Sequence, residues 1–397
     1  MITVSEALTL IGRDVPSLEC EEIPLGESVG RVLAKDVAAD TDLPPFDRSQ
    51  MDGYAVVAKD TRSAPVELRI VGESSAGHGW HNAMKSGEAV RIMTGAPLPP
   101  GANAVQKIEL TSEAAGVVTI DESTKLSANI VFKGSEVKAG DRVFSKGERI
   151  TEQMIASLAA FGCGSVSVSA RPRVGTLATG SEIVPVEETP GVDQIRNSNA
   201  PMLAALSAKC GASPTEFPLA DDDLERLTGR ISDALSSSDV LIITGGVSVG
   251  KYDLTKPALK RVGAEIRFEK VSLKPGKPAV FATLGEKLIF GLPGNPVSAA
   301  VTFELFVRPA LMQMQGASQP HLRSGHAVLT TPVKAAKERD TYLPATLSTD
   351  EKGRLNATPT RWQGSSDFIG YSKAESLVVV KAGRRHEAGD VASVLFL

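Results

Sequence analysis

Three glycine-rich stretches each follow an apolar run that reads as a buried strand. They are Thr179-Gly180-Ser181-Glu182, Thr244-Gly245-Gly246-Val247-Ser248-Val249-Gly250 and Gly291-Leu292-Pro293-Gly294-Asn295-Pro296. Glycine admits positive φ and close backbone approach, so such loops can turn amide N–H groups toward a phosphate, aided by the N-terminus of a following helix. One such loop is equally well a turn and nothing more; three at one sheet edge point to a site for a phosphorylated anion. Lys274-Pro275-Gly276-Lys277-Pro278 places two cations on a proline-stiffened loop, which suits an anion held in fixed geometry, although alone it also reads as a tight turn with exposed lysines. It is not a Walker A loop, since the glycine spacing and trailing Ser/Thr are absent.

Acids accompany these loops: Glu182 in the first, Asp221 and Asp222 before an amphipathic stretch at Leu224, and Asp253 after the second. Asp221 and Asp222 read equally as an N-cap and a first-turn charge. Carboxylates beside an anion repel it unless a hard divalent cation lies between, so the combination suggests Mg²⁺. No nucleophile with a partner base stands out, and His78 and His81 lack the further ligands a zinc site needs. Two dense stretches lie upstream. Pro44 to Val56 is a proline-rigid loop with acids Asp47 and Asp52 entering a strand, and Arg91 to Pro97 is a strand ending in a Thr-Gly-Ala-Pro turn.

The elements that must position these residues follow from periodicity. Residues 1–14 read as an amphipathic helix through Val4, Ala7, Leu8 and Ile11, and residues 66–150 as short strands broken by glycine turns. From residue 171 strands and helices alternate: a strand 174–178, a helix near 202–209, Leu224, Leu227, Ile231 and Leu235 on one helical face, a strand 239–244, and a helix near 255–262. Strands near 266, 280 and 288 and a long helix over 297–314 complete the pattern, which predicts a parallel sheet covered on both faces. Beyond residue 321 short strands return, predicting a small barrel or sandwich.

At 397 residues the chain is expected to hold two to four domains. Its net charge of −4, from 43 basic and 47 acidic residues without long single-sign runs, gives no footprint for nucleic acid or an anionic membrane. Cys20, Cys163 and Cys210 are dispersed, which argues against a disulfide framework and suits a reducing cytoplasm. The first residues lack signal-peptide character, and no apolar run approaches the roughly 20 residues of a membrane span.

Taken together, Met51-Asp52-Gly53-Tyr54-Ala55-Val56, Arg91 to Pro97, Thr179 to Glu182, Gly245 to Gly250 with Asp253, Lys274 to Pro278, and Gly291 to Ser298 resemble the molybdopterin molybdenumtransferase family (MoeA, related to the gephyrin E domain) along essentially the whole chain. The resemblance implies a multidomain α/β and β fold. Its parts would be an elongated N-terminal domain (1–45 plus 141–170), an inserted β-rich domain (46–140), a three-layer α/β molybdopterin-binding domain with a parallel-type sheet (171–318), and a C-terminal β-barrel (319–397). It implies a homodimer in which the inserted domain of one copy reaches the α/β pocket of the other. The implied reaction takes adenylylated molybdopterin and molybdate, cleaves the adenylate with Mg²⁺, and leaves molybdenum on the pterin dithiolene with release of AMP. Molybdopterin adenylyltransferase and acceptor molybdoenzymes would be its partners. Because the sulfur ligands belong to the substrate, no cysteine cluster is needed.

By the same resemblance Gly245, Gly246, Ser248, Gly250, Lys274, Lys277, Gly294, Asn295 and Ser298 would bind the pterin phosphate and oxyanions, with Ser365 of Gln363-Gly364-Ser365 as a further candidate. Asp52, Glu182, Asp222 and Asp253 would hold Mg²⁺ or orient a water, and Thr94 would donate to a bound oxyanion. Lys274 and Lys277 would also serve catalysis. The chain departs from the family pattern at Arg48, at Glu136, at Gln106-Lys107 and near Pro344, where an arginine is absent. Two rivals share the α/β domain: a molybdopterin adenylyltransferase and a non-catalytic scaffold.

Overall fold

The structure, a computed structural model, describes residues 1–220, 223–246, 254–360 and 364–397. The chain divides into two compact units. One comprises Met1–Lys35, Lys146–Ile155 and Gly164–Leu397; the other comprises Asp36–Ser145 and Ala156–Cys163.

The larger unit is built on a six-stranded sheet in the order Ser213–Glu216, Arg173–Ala178, Val240–Thr244, Lys287–Leu292, Val280–Leu284, Glu265–Phe268. All five residues of Val240–Thr244 are buried. Val240 and Ile242 join one apolar cluster and Leu241 and Ile243 another, because successive side chains point to opposite faces. Helices Asn199–Lys209 and Pro296–Thr302 contribute Leu203, Val297 and Val301 to the first cluster, while Leu224–Ser237 contributes Leu227, Ile231 and Leu235 to the second. The result is helix, sheet, helix, as the near-continuous apolar runs require.

The sheet is not wholly parallel. Its first four strands are, but Val280–Leu284 runs antiparallel to Lys287–Leu292. Leu284 pairs with Lys287 across Gly285 and Glu286, a two-residue connection that can join only antiparallel strands. The expected long helix over 297–314 is also interrupted: a π-helical turn, Phe303–Val307, separates Pro296–Thr302 from Arg308–Met314. Pro309 explains it, since proline has no N–H to give Leu305 and its ring crowds that carbonyl. The helix Leu224–Ser237 is capped by Asp223, whose carboxylate accepts from Arg226 N at 2.9 Å; Asp221 and Asp222 lie outside the described residues. At the N-terminus Thr3 and Glu6 form a capping box for Val4–Asp14, which buries Ala7 and Ile11.

The π turn carries Glu304, 4% exposed. Its Oε2 lies 3.8 Å from Arg308 Nε and has no hydrogen-bond partner. Burial pushes its carboxyl above the usual range, with Arg308 opposing. A folded pKa above the unfolded one gives stability that is present at low pH and lost as pH rises through the folded value. Measured against Glu304→Gln, the wild-type chain is therefore expected to lose stability as pH rises above the ordinary carboxyl value of about 4.5, at a slope of at most about 1.4 kcal/mol per pH unit. Urea unfolding of both proteins across that range checks it.

The C-terminal strands close into a barrel rather than a sandwich: Asp340–Thr349, Leu355–Pro359, Ser324–Leu329, Val391–Phe396 and Ser376–Val380, the last returning to the first. Leu329, Ala345, Val378, Val380 and Val394 are among its buried core.

The smaller unit holds a second six-stranded sheet, ordered Ala104–Lys107, Gly53–Val56, Glu88–Ile92, Val66–Ser74, Val117–Ile120, Thr111–Ala114. Gly53–Val56 lies between two neighbouring strands and is fully buried. Gly53 has to be glycine because an added Cβ would lie 1.9 Å from the Gln106 carbonyl oxygen of the neighbouring strand. Among the described residues no helix is long and apolar enough to cross a membrane.

Candidate active site

The strand Arg173–Ala178 is flanked by Ser213–Glu216 on one side and Val240–Thr244 on the other, so the winding reverses there. An open α/β sheet leaves a crevice at the carboxyl ends beside such a reversal. The structure has a cavity of ≈ 1350 Å³ at this place, lined by Thr179, Gly180, Glu182, Gly245, Gly246, Gly294 and Asn295 from all three glycine loops. Residues 190 and 194–199, Pro278, and Ser366 and Phe368 of the barrel complete the wall.

Close backbone packing fixes these loops. Gly245 has φ +93, and a Cβ on it would stand 2.3 Å from the Thr179 carbonyl oxygen. Thr179 N donates to Thr244 O at 2.9 Å. Asn199, 6% exposed, donates through Nδ2 to Thr244 Oγ1 at 2.8 Å and to Gly294 O at 2.7 Å, clamping the second loop to the third. Its Oδ1 is buried and unpartnered. Asn295 donates to Ser365 Oγ at 2.8 Å, and Ser365 O accepts from Val297 N at 3.1 Å, so Ser365 ties the barrel to the start of the following helix.

The carboxylate of Glu182 folds back over Gly180, where a Cβ would meet Oε2 at 2.5 Å. It offers hard oxygen donors at the wall. Lys274 ends a short strand, Leu273–Lys274, that pairs in parallel with Asp340–Thr349 of the barrel. Lys274 and Lys277 are exposed, and Pro278 rather than either lysine forms part of the wall. Gly276 at φ +107 holds this loop against Thr302, whose methyl would lie 2.4 Å from an added Cβ. Ser298 is 4% exposed and does not reach the wall. Asp222, Ser248, Gly250 and Asp253 lie outside the described residues, as does Gln363.

In the smaller unit Asp52 and Thr94 come together at the ends of neighbouring strands. Asp52 Oδ1 accepts from Thr94 N at 2.7 Å and Thr94 Oγ1 at 2.8 Å. The Thr94 backbone N–H first, and its hydroxyl second, hold the Asp52 carboxyl below the usual carboxylate range. Gly95, at φ +80, turns the chain so that its N–H reaches Ser49 O at 2.8 Å. The two departures Arg48 and Glu136 pair with each other at 3.4 Å. Gln106 is buried and donates to Glu122 O at 2.8 Å, so this polar residue within a strand is satisfied. Among the described residues no three of His, Cys, Asp and Glu gather closely enough to hold a metal.

Sequence reasoning missed Asn199, Arg196 and Phe368. The helix that Asn199 begins was expected to start near residue 202. The run Asn197-Ser198-Asn199, rich in capping types, was the available signal: Asn197 Oδ1 accepts from Ala200 N at 3.2 Å.

Comparison with known proteins covers the same segments. Residues 2–162 match the model described as MoeA N-terminal region (domain I and II), 175–313 the probable molybdopterin binding domain, and 326–397 the MoeA C-terminal region (domain IV). Molybdopterin molybdenumtransferases of Staphylococcus epidermidis and Bacillus subtilis are each 35% identical, over 99% and 100% of this chain and 95% and 94% of theirs. A crystal structure of a molybdopterin biosynthesis MoeA protein from Pyrococcus horikoshii superposes with a TM-score of 0.86 at 29% identity, covering 100% of both chains.

Proposed function

The chain belongs to the molybdopterin molybdenumtransferase (MoeA) family, and on that premise we propose that it acts in molybdenum cofactor biosynthesis, inserting molybdate-derived molybdenum into adenylylated molybdopterin with release of AMP. The observation that carries this reading is the ≈ 1350 Å³ cavity walled by three glycine loops, a size and a close backbone lining suited to a bulky phosphorylated ligand.

In this reading backbone amides of Gly246 and Gly294 face phosphoryl oxygens, Gly245, whose N–H donates to Leu292 O at 3.3 Å, lets the loops pack closely, and Asn295 orients the ligand beside the barrel. Lys274 and Lys277 supply positive charge at the rim. Glu182 fits a hard cation: it is a carboxylate on the wall, and Mg²⁺ needs one or two such groups alongside substrate phosphates. Asp222 and Asp253 remain candidates for the same ion, which when bound would neutralise phosphate charge. Catalysis rests on positioning and electrostatic stabilisation, since no protein nucleophile is required. The chain acts in the cytoplasm as a homodimer, with Asp52 and Thr94 of a second copy serving the reacting end; Asp52 enters ionised and aligned by Thr94. The division into an N-terminal domain of two segments, an inserted domain, an α/β domain and a barrel belongs to the same proposal.

The test offers the purified protein two substrate pairs. Adenylylated molybdopterin with molybdate and Mg²⁺ is expected to yield AMP and active cofactor, and chelation of Mg²⁺ to stop it. Turnover of ATP with molybdopterin instead would identify an adenylyltransferase, and turnover of neither a scaffold.

A further inference from the structure

Arg196 is the only lysine or arginine on the cavity wall among the described residues. It belongs to a small ladder at the mouth, in which Ile183–Val184 pairs in parallel with Ile195–Arg196. Ile195 N donates to Glu182 O at 2.8 Å and Asn197 N to Val184 O at 2.9 Å, which fixes Arg196 beside the strand that follows Glu182. Its Nε donates to Glu188 O at 2.9 Å. That bond anchors the side chain at Nε, while the two Nη groups have no partner among the described residues. A guanidinium held at one edge with the other free is preorganised for bidentate contact with phosphoryl oxygens.

We propose that Arg196 is the residue that binds the diphosphate of the adenylylated substrate, with Nη1 and Nη2 on phosphoryl oxygens and Nε kept on Glu188 O. The assignment rests on the function proposed above and adds to it the wall's cation, which neither Lys274 nor Lys277 supplies. Glu182 and Arg196 then divide the work: the carboxylate serves a cation and the guanidinium the phosphates.

The informative variant is Arg196→Gln. Its Nε2 takes the place of the arginine Nε, so the bond to Glu188 O is preserved while the charged fork is lost. The expected result is a KM for adenylylated molybdopterin about tenfold higher, with kcat within about threefold, because binding common to ground and transition states is removed. Affinity for AMP, measured by calorimetry on the full chain, is expected to fall about tenfold, or about 1.4 kcal/mol. Arg196→Lys is expected to recover part of the AMP affinity. Unchanged KM and AMP affinity in Arg196→Gln would leave Arg196 a solvated surface residue and overturn the proposal. A fall in kcat at unchanged KM would also overturn it, placing the residue in the transition state instead. If the wild-type protein releases no AMP on turnover, the parent function fails, whereas the AMP titration still judges Arg196.

Discussion

Asp52→Ala is expected to lower the rate of AMP release by about 10²–10³-fold, the scale on which removing one preorganised catalytic group acts. Its affinity for the pterin is expected to stay within about tenfold. Asp52 is exposed, and its carboxylate is aligned by two donors of Thr94 at 2.7 and 2.8 Å. Those donors favour the ionised form, so the group is a ready oxygen ligand or water-orienting base near neutral pH. Its side chain plays no part in the buried sheet, whose adjacent strand Gly53–Val56 is held by backbone pairing. The unit should therefore fold without it. Single-turnover kinetics beside equilibrium binding separates the outcomes, and loss of pterin binding with retained chemistry would move Asp52 from catalysis to recognition.

Gly245→Ala is expected to destabilise the larger unit by about 2–3 kcal/mol through overpacking and backbone strain together, and to abolish turnover. The methyl group would stand 2.3 Å from Thr179 O and 3.0 Å from Thr179 Oγ1, atoms of a loop fixed by backbone bonding. Relief requires the first and second glycine loops to part, which reshapes the cavity both of them line. Gly229→Ala is the matching control. It lies exposed within helix Leu224–Ser237 with nothing within 4 Å of an added Cβ, and it is expected to stabilise by about 0.5–1 kcal/mol. Urea unfolding of the two variants gives opposite signs if the contact, rather than loss of glycine as such, sets the effect.

Much of the α/β layer was legible because its signals are local. The apolar run Val240–Ile243 reads as a strand buried on both faces, and the spacings of three and four through Leu224, Leu227, Ile231 and Leu235 read as one face of a helix. Strand direction is not local in the same way. The antiparallel Val280–Leu284 was available from the two residues, Gly285 and Glu286, between it and the next strand, but apolar patterning alone is silent on direction. The π turn at Phe303–Val307 follows from one proline inside a strong helical pattern. Strand Leu355–Pro359 alternates apolar and polar residues, but it is five residues long, buries Ala357 alone and ends in proline; barrel closure, not propensity, makes it a strand.

The site divides the same way. Glycine loops announce themselves, and the structure gathers them around one cavity. Asn199 and Arg196 carry no motif. Their roles arise from Asn199 reaching Thr244 and Gly294, and from the pairing of Val184 with Arg196, contacts no spacing rule foretells. Lys274 and Lys277 show the reverse: prominent in sequence, they stand exposed while Pro278 meets the cavity.

The proposed reaction exchanges adenylate for molybdenum on a pterin that brings its own sulfur. Its most direct test is a single-turnover reaction of the full chain loaded with adenylylated molybdopterin and Mg²⁺, with and without molybdate, following AMP release and molybdenum bound to the pterin. The expected result is AMP released in step with molybdenum incorporation, one for one. AMP that stays bound after molybdate is added, or leaves with no molybdenum retained on the pterin, would contradict it.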